Sequence, residues 1–560
     1  MASGDLVPRQ YGSFRGVDFR GDEINISRSP DSKNVWKDYR KTDGIRTRPC
    51  MELLTSFDDT VYGVFFYTAG STDMILVHSG QKLYKVVNEQ KTLIYEGLNE
   101  AESNAFVYNN YWYFKDGKNY LVYDGEKIGD VVGYVPVTSI GRNPMGGGKI
   151  KEDINILSDY RINTFCGDEN STEFHLDTIQ IDSEIPEVTV DGVAVEVSKI
   201  IPEKGVVVLK AAPPAGYGGQ DNVKITFKKT IDKNEKRKIL NCTLLEVFDN
   251  RVFFSGNKDY PNMIWHSSLD DPKYCSDLDY YNEGLDTAAV KGMVAGNNAL
   301  WVFREPSQAN TTVFYHTPTI DSEYGKIYPN THSSISTGCT GRAINFNDDI
   351  VFFSDRGMEG INGDITTEQV ISHRSSLVDR RLTSEEEYKN MLLAEWEGYL
   401  VVIIGNKAYL ADSRAMFQNE SHYEYEWFYW EFSKRITSAK VNKGKLYLGT
   451  EDGVYSLTDA DGDIESYWVT PKDKFSHPHY LKTTNKKGCT CEAEGDISLY
   501  VKTEKTGFEL IGTFKDITDY FVGRIKRKKF KDIQLKFYST TRFTLETATL
   551  ECFIGGYIKR

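Results

Sequence analysis

The chain has 560 residues and a formal charge of −14, from 67 Lys and Arg against 81 Asp and Glu. At about 150 residues per domain this length excludes a single small module, and 46 Gly with 16 Pro are too few for a disordered or collagen-like chain. The acidic balance excludes a chain-wide basic footprint for nucleic acid, so any DNA contact is local or weak.

Aromatic residues make up 13% of the chain, with 35 Tyr and 29 Phe. Such side chains pack well on a pleated surface, so an all-β protein is the expectation. Residues 1–55 read as an N-terminal extended arm. Its opening, MASGDLVPRQYGSFRG, lacks the apolar stretch of a secretory signal. The most apolar run, Leu400 to Ile404, is far shorter than the ~20 residues that a bilayer span needs.

From residue 56 one phrase recurs: a turn rich in Asn, Asp or Gly, a short apolar strand, a second turn and another strand. Copies center on Met74–Val77, Tyr111–Phe114, Val252–Phe254, Leu300–Phe303, Ile350–Phe353, Leu400–Ile404 and Leu446–Leu448. Their starts are separated by 37, 141, 48, 50, 50 and 46 residues. A hairpin repeat of this period is the signature of β-propeller blades, and the overlong interval marks an insertion. The sequence therefore divides into a first propeller part (56–136), an insertion (137–230), a second propeller part (231–464) and a C-terminal β-domain (465–560). The insertion carries alternating strands around the turn Asp191-Gly192, as an immunoglobulin-like β-sandwich would. One helix is expected, over Leu382–Leu393, with Thr383 as cap and Glu386 completing a capping box. The predicted fold is thus an all-β propeller with an inserted sandwich and a C-terminal β-domain, its blade number left open.

Candidate chemistry is sparse. GRNPMGGGKI (141–150) resembles a phosphate loop but has Asn143 and Ile150 where that motif needs Gly and a hydroxyl, so a flexible entry to the insertion is expected. Asp459, Asp461 and Asp463 alternate as Ca²⁺ ligands might be spaced, yet a tight turn explains them equally. His477 and His479 flank a proline with no third ligand in view. In SHYEYEWFYWEF (421–432), acids interleaved with Tyr425, Trp427, Tyr429 and Trp430 suit either a sugar platform, with Glu424 or Glu426 acting, or a strand packed between two layers. Eight scattered cysteines read as reduced thiols of a protein made in a cytosol. No catalytic, metal or cofactor residue is assigned, and no enzymatic activity is expected. The densest basic run, RIKRKKFK (524–531), offers Arg524, Lys526, Arg527, Lys528 and Lys529 for docking a partner or facing DNA; the alternative is an edge strand guarded by lysines.

The N-terminal segment resembles the opening of the tail nozzle and packaged-DNA stabilization proteins of tailed phages. The elements that carry this are Ser27-Arg28-Ser29-Pro30, Asn34, and Gly44 through Arg48-Pro49, with Cys50 where the pattern has Gly. FDNRVFFSGNKDYPNMIWHSSLDDPKY (248–274), GMVAGNNALWVFRE (292–305) and SYWVTPKDKF (466–475) are similar to further phrases of that family. The resemblance implies a virion structural protein made in the bacterial host cytoplasm. Such a subunit joins copies of itself, six being usual, in a ring on adaptor or portal and other tail proteins. The ring closes and guides a DNA channel with weak, non-specific contact to the genome. Two other functions remain open on the residues alone: a carbohydrate-binding or glycan-active propeller, and a receptor-binding tail module that uses the inserted sandwich.

Overall fold

The computed structural model describes residues 6–21, 24–322, 325–362, 367–419 and 422–557. Among these residues the chain forms seven four-stranded antiparallel sheets. The recurring phrases are the second strands of these sheets: Thr72–Ser79, Tyr111–Lys115, Arg251–Ser255, Ala299–Arg304, Asp349–Ser354, Tyr399–Ile404 and Lys445–Gly449. The first strands, Val61–Ala69, Asn104–Tyr108, Leu244–Phe248, Val290–Gly296, Ala343–Phe346, Leu392–Trp396 and Ser438–Asn442, adjoin one another around a common axis. The protein is a β-propeller of seven blades.

The Asn and Asp residues of the repeat have a steric cause. First and second strands are joined by Asn109-Asn110, Asp249-Asn250, Asn297-Asn298, Asn347-Asp348, Glu397-Gly398 and Lys443-Gly444, with positive φ at both positions. This is the turn whose twist matches a hairpin, and Asn, Asp and Gly tolerate it best. The second strands of blades 4 and 6 are then buried end to end: Leu300 to Phe303 and Leu400 to Val402 are each 0% exposed. A continuous apolar run is what a strand packed on both faces requires.

Blade 7 takes only three strands from residues 438–458; its outermost strand is Cys50–Ser56. The arm therefore does not stand apart as an extended segment. Its last strand closes the propeller, and Leu6–Tyr11, Ser32–Lys33, Val35–Trp36 and Ile45–Thr47 join the C-terminal sheet. That sheet has eleven strands built around Tyr480–Thr503, which pairs along much of its length with Phe543–Tyr557. The insertion, between blades 2 and 3, packs a six-stranded sheet on a three-stranded one around Phe165, Phe174, Val207, Ile225 and Phe227. It is a β-sandwich, with one parallel pair between Val137–Arg142 and Tyr160–Phe165.

The expected helix over 382–393 does not form. A single turn, Asp379–Leu382, ends where that helix was to begin, and Thr383 donates its hydroxyl back to the Asp379 carbonyl at 2.8 Å. Tyr388 and Met391 are drawn into the core between blades 5 and 6, and strand resumes at Leu392. The regular helix is instead Lys233–Leu240, capped by Asp232, at the exit of the insertion.

Candidate functional site

The basic run is held by two apolar anchors. Ile525 and Phe530 are 2% and 0% exposed in the core shared with blade 6. Between them the backbone clamps Thr484, whose N–H donates to the Lys528 carbonyl at 3.0 Å while its hydroxyl accepts from Lys528 N–H at 2.9 Å. With both anchors inward, Arg524, Lys526, Arg527 and Lys529 are exposed. Lys528 departs from the expectation for a docking residue: it is half-buried and paired to Glu509 at 2.5 Å. The run is not a guarded edge strand either, since residues 524–528 are irregular and only Lys529–Phe530 pairs, with Lys482 and Thr483.

Sequence reading missed two members of this surface. Lys486 and Lys487 are exposed, and the next residue, Gly488, lies so close that a Cβ there would sit 2.0 Å from the Gly523 carbonyl oxygen. Gly488 also has φ +75°, so only a glycine lets the two segments meet. Six exposed cations, Lys486, Lys487, Arg524, Lys526, Arg527 and Lys529, thus lie on two segments that meet at Gly488 and Gly523, with no ion-pair partner among the described residues. The only sequence signal for the extra pair is the Lys-Lys-Gly triplet itself. The face also fits the wider distribution of charge. Residues 465–560 hold 18 Lys and Arg against 12 Asp and Glu, a balance of +6, and residues 1–464 hold 49 against 69, a balance of −20.

The other candidates are structural. In strand His422–Glu431, Glu424 and Glu426 are each 1% exposed and Trp427 and Trp430 are fully buried, so no sugar can reach them. Arg28 donates to both Glu426 oxygens at 2.8 and 2.7 Å, with its guanidinium 4.2 Å from the Phe417 ring. Burial pushes the Glu426 carboxyl up against the pull of Arg28. Asn34 and Arg48 of the N-terminal arm seal this strand. Asn34 accepts from Glu431 N–H and from Arg48 Nε, and Arg48 donates to the Glu431 carbonyl. Close by, His373 lies 2.5 Å from Asp379 and 3.3 Å from Glu359, and the two acids hold its pKa up to about 10 against burial. Both ring nitrogens face carboxylates, so this imidazolium is a structural ion rather than a base.

The loop 141–150 wraps around Arg142, which donates to the carbonyls of Gly147 and His175. Asp459 faces Lys41, Arg46 and Arg542, and Asp461 faces Arg542; these are ion pairs. His477 bonds the Phe475 carbonyl and His479 stacks on Tyr557. Among the described residues, no three His, Cys, Asp or Glu gather in a metal-binding group, and no helix is long and apolar enough to cross a membrane. All eight cysteines are free thiols.

No protein-family model matches the sequence, and no curated protein is similar to it. Among solved structures, the chain is similar to BamB from Moraxella catarrhalis at 10% identity and a TM-score of 0.33, covering 71% of this chain and 83% of that one. Kluyveromyces lactis Hsv2 gives 10% identity and a TM-score of 0.32 over 74% of this chain and 95% of its own. The fold stands on the seven blades and their closure.

Proposed function

We propose that the chain is a ring-forming structural subunit of a tailed phage, placed in the tail or neck, which docks on its neighbors through the cationic face of the C-terminal domain. The observation that carries this reading is that surface: six exposed cations without an ion-pair partner among the described residues, on a domain of charge +6 attached to a body of charge −20. Opposite charges at separate places on one molecule favor head-to-tail contacts, which close into rings when the rotation allows. The net acidic body also suits a passage along which DNA slides without sticking. The N-terminal resemblance supplies the phage context.

The test is immunogold electron microscopy on particles from a lysate of cells that carry the gene. Gold at the tail or neck is expected; antigen that stays soluble and labels no particle overturns the proposal.

A second reading, receptor binding by the inserted sandwich, is favored by Met145 and Tyr217, 73% and 93% exposed. Their glycine-rich loops are brought to one end of the sandwich by the bond from Gly141 N–H to Asp221 at 2.7 Å. Deletion of residues 137–230 distinguishes the two: loss of adsorption with intact particles supports the receptor role.

A further inference from the structure

On the side of the ring where the first strands begin, the mouth of the propeller channel is a cavity of about 590 Å³. Four cationic side chains from successive blades line it: Lys258, Lys291, Arg342 and Lys389, beside the bare backbone of Gly256 and Gly292. Arg342, just before the first strand of blade 5, donates through Nη1 to Glu102 at 2.7 Å and through Nη2 to the other carboxylate oxygen. Glu102 precedes the first strand of blade 2, so this ion pair joins blades 2 and 5 across the ring. Lys291 stands 3.8 Å from Glu305. Lys258 and Lys389 are exposed and have no ion-pair partner among the described residues. The mouth therefore holds two ammonium groups without an ion-pair partner among the described residues, beside an arginine that is already neutralized.

We propose that this mouth binds a compact phosphate-bearing anion, with Lys258 and Lys389 as the ligands that hold it and Lys291 as a third donor. The chemistry favors phosphate over a planar carboxylate. The guanidinium, whose fork matches a carboxylate, is already occupied by Glu102, and the free groups are ammonium point charges, which suit a tetrahedral anion. Donors that line one cavity are also less screened than the open cationic surface of the C-terminal domain. The inference goes beyond the ring-subunit reading and stands without it.

The test is titration calorimetry of the full chain with pyrophosphate, in wild type, in Lys258→Ala/Lys389→Ala and in Lys526→Glu/Arg527→Glu. Saturable binding to wild type is expected, weakened at least about tenfold by the channel variant, as loss of charge-assisted bonds requires, and within about twofold of wild type in the C-terminal variant. Absence of saturable heat with wild type overturns the proposal. So does a loss confined to the C-terminal variant, which would place the anion on the other face. Should the double variant fail to fold by circular dichroism, Lys389→Glu alone is read by the same criteria.

Discussion

Residues 422–431 and 524–531 are both dense in reactive or charged side chains, and they meet opposite fates. In the first, acids and aromatics alternate along a strand that is buried on both faces, between the blade 5/6 core and the C-terminal core. In the second, two apolar side chains point inward and the charges between them are left outside. The difference lies in what covers each segment. The N-terminal arm lies over strand His422–Glu431 and brings Arg28 and Asn34 to its polar groups. For the basic run the only ion-pair partner among the described residues is Glu509, at Lys528. A dense run of functional groups thus becomes a buried wall or an exposed charged surface according to the segment that reaches it from elsewhere in the chain.

The largest expected effect breaks the wall. Arg28→Ala leaves Glu426 buried with only the longer ion pair to Arg15, at 3.8 Å, and a cost approaching about 3–5 kcal/mol is expected in urea unfolding. Limited proteolysis of the arm should accelerate with it; a loss below about 1 kcal/mol would show that the arm is held by its strand pairing alone.

Next in size is His373. Its pKa is raised from 6.5 to about 10, so its contribution is fully present below pH 6.5 and is lost as pH rises through 10. Burial pushes the Asp379 carboxyl up, which offsets part of the gain. Wild type should exceed His373→Gln by about 2–3 kcal/mol at pH 6, with the difference shrinking toward pH 10. A gap that is constant with pH would assign the stabilization to packing.

The smallest effect on stability sharpens the other half of the comparison. Lys526→Glu/Arg527→Glu/Lys529→Glu should change unfolding free energy by less than about 0.5 kcal/mol, because these side chains are exposed and unpaired. Incorporation into particles should fall sharply all the same. Lys528→Ala should affect docking least of the run, since Glu509 already neutralizes it.

The same contrast explains what the sequence made legible. Blades were readable because each copy repeats a local requirement: a positive-φ turn such as Asn297-Asn298 followed by a strand buried on both faces such as Ala299–Arg304. Closure was not, because nothing local in CMELLTS says that it pairs with GVYSLT. The helix over 382–393 was misread for a related reason: its capping pattern is satisfied in sequence, but Tyr388 and Met391 gain more by entering the core between blades 5 and 6. Within the cationic face, Arg524 to Lys529 were visible as a run, whereas Lys486 and Lys487 joined them only through the contact of Gly488 with Gly523.

The closing strand of blade 7 has a consequence for synthesis. Cys50–Ser56 leaves the ribosome about 400 residues before its partner Gly453–Thr458. At 5–20 residues per second, the nascent chain carries this unpaired strand for roughly 20–80 s before the ring can shut. Blades can form one by one as they emerge, but the circle is completed only once Gly453–Thr458 has been made. During that interval the open edge is a template for pairing with another chain, so yield in the cell should depend on translation speed and on chaperones that mask strand edges.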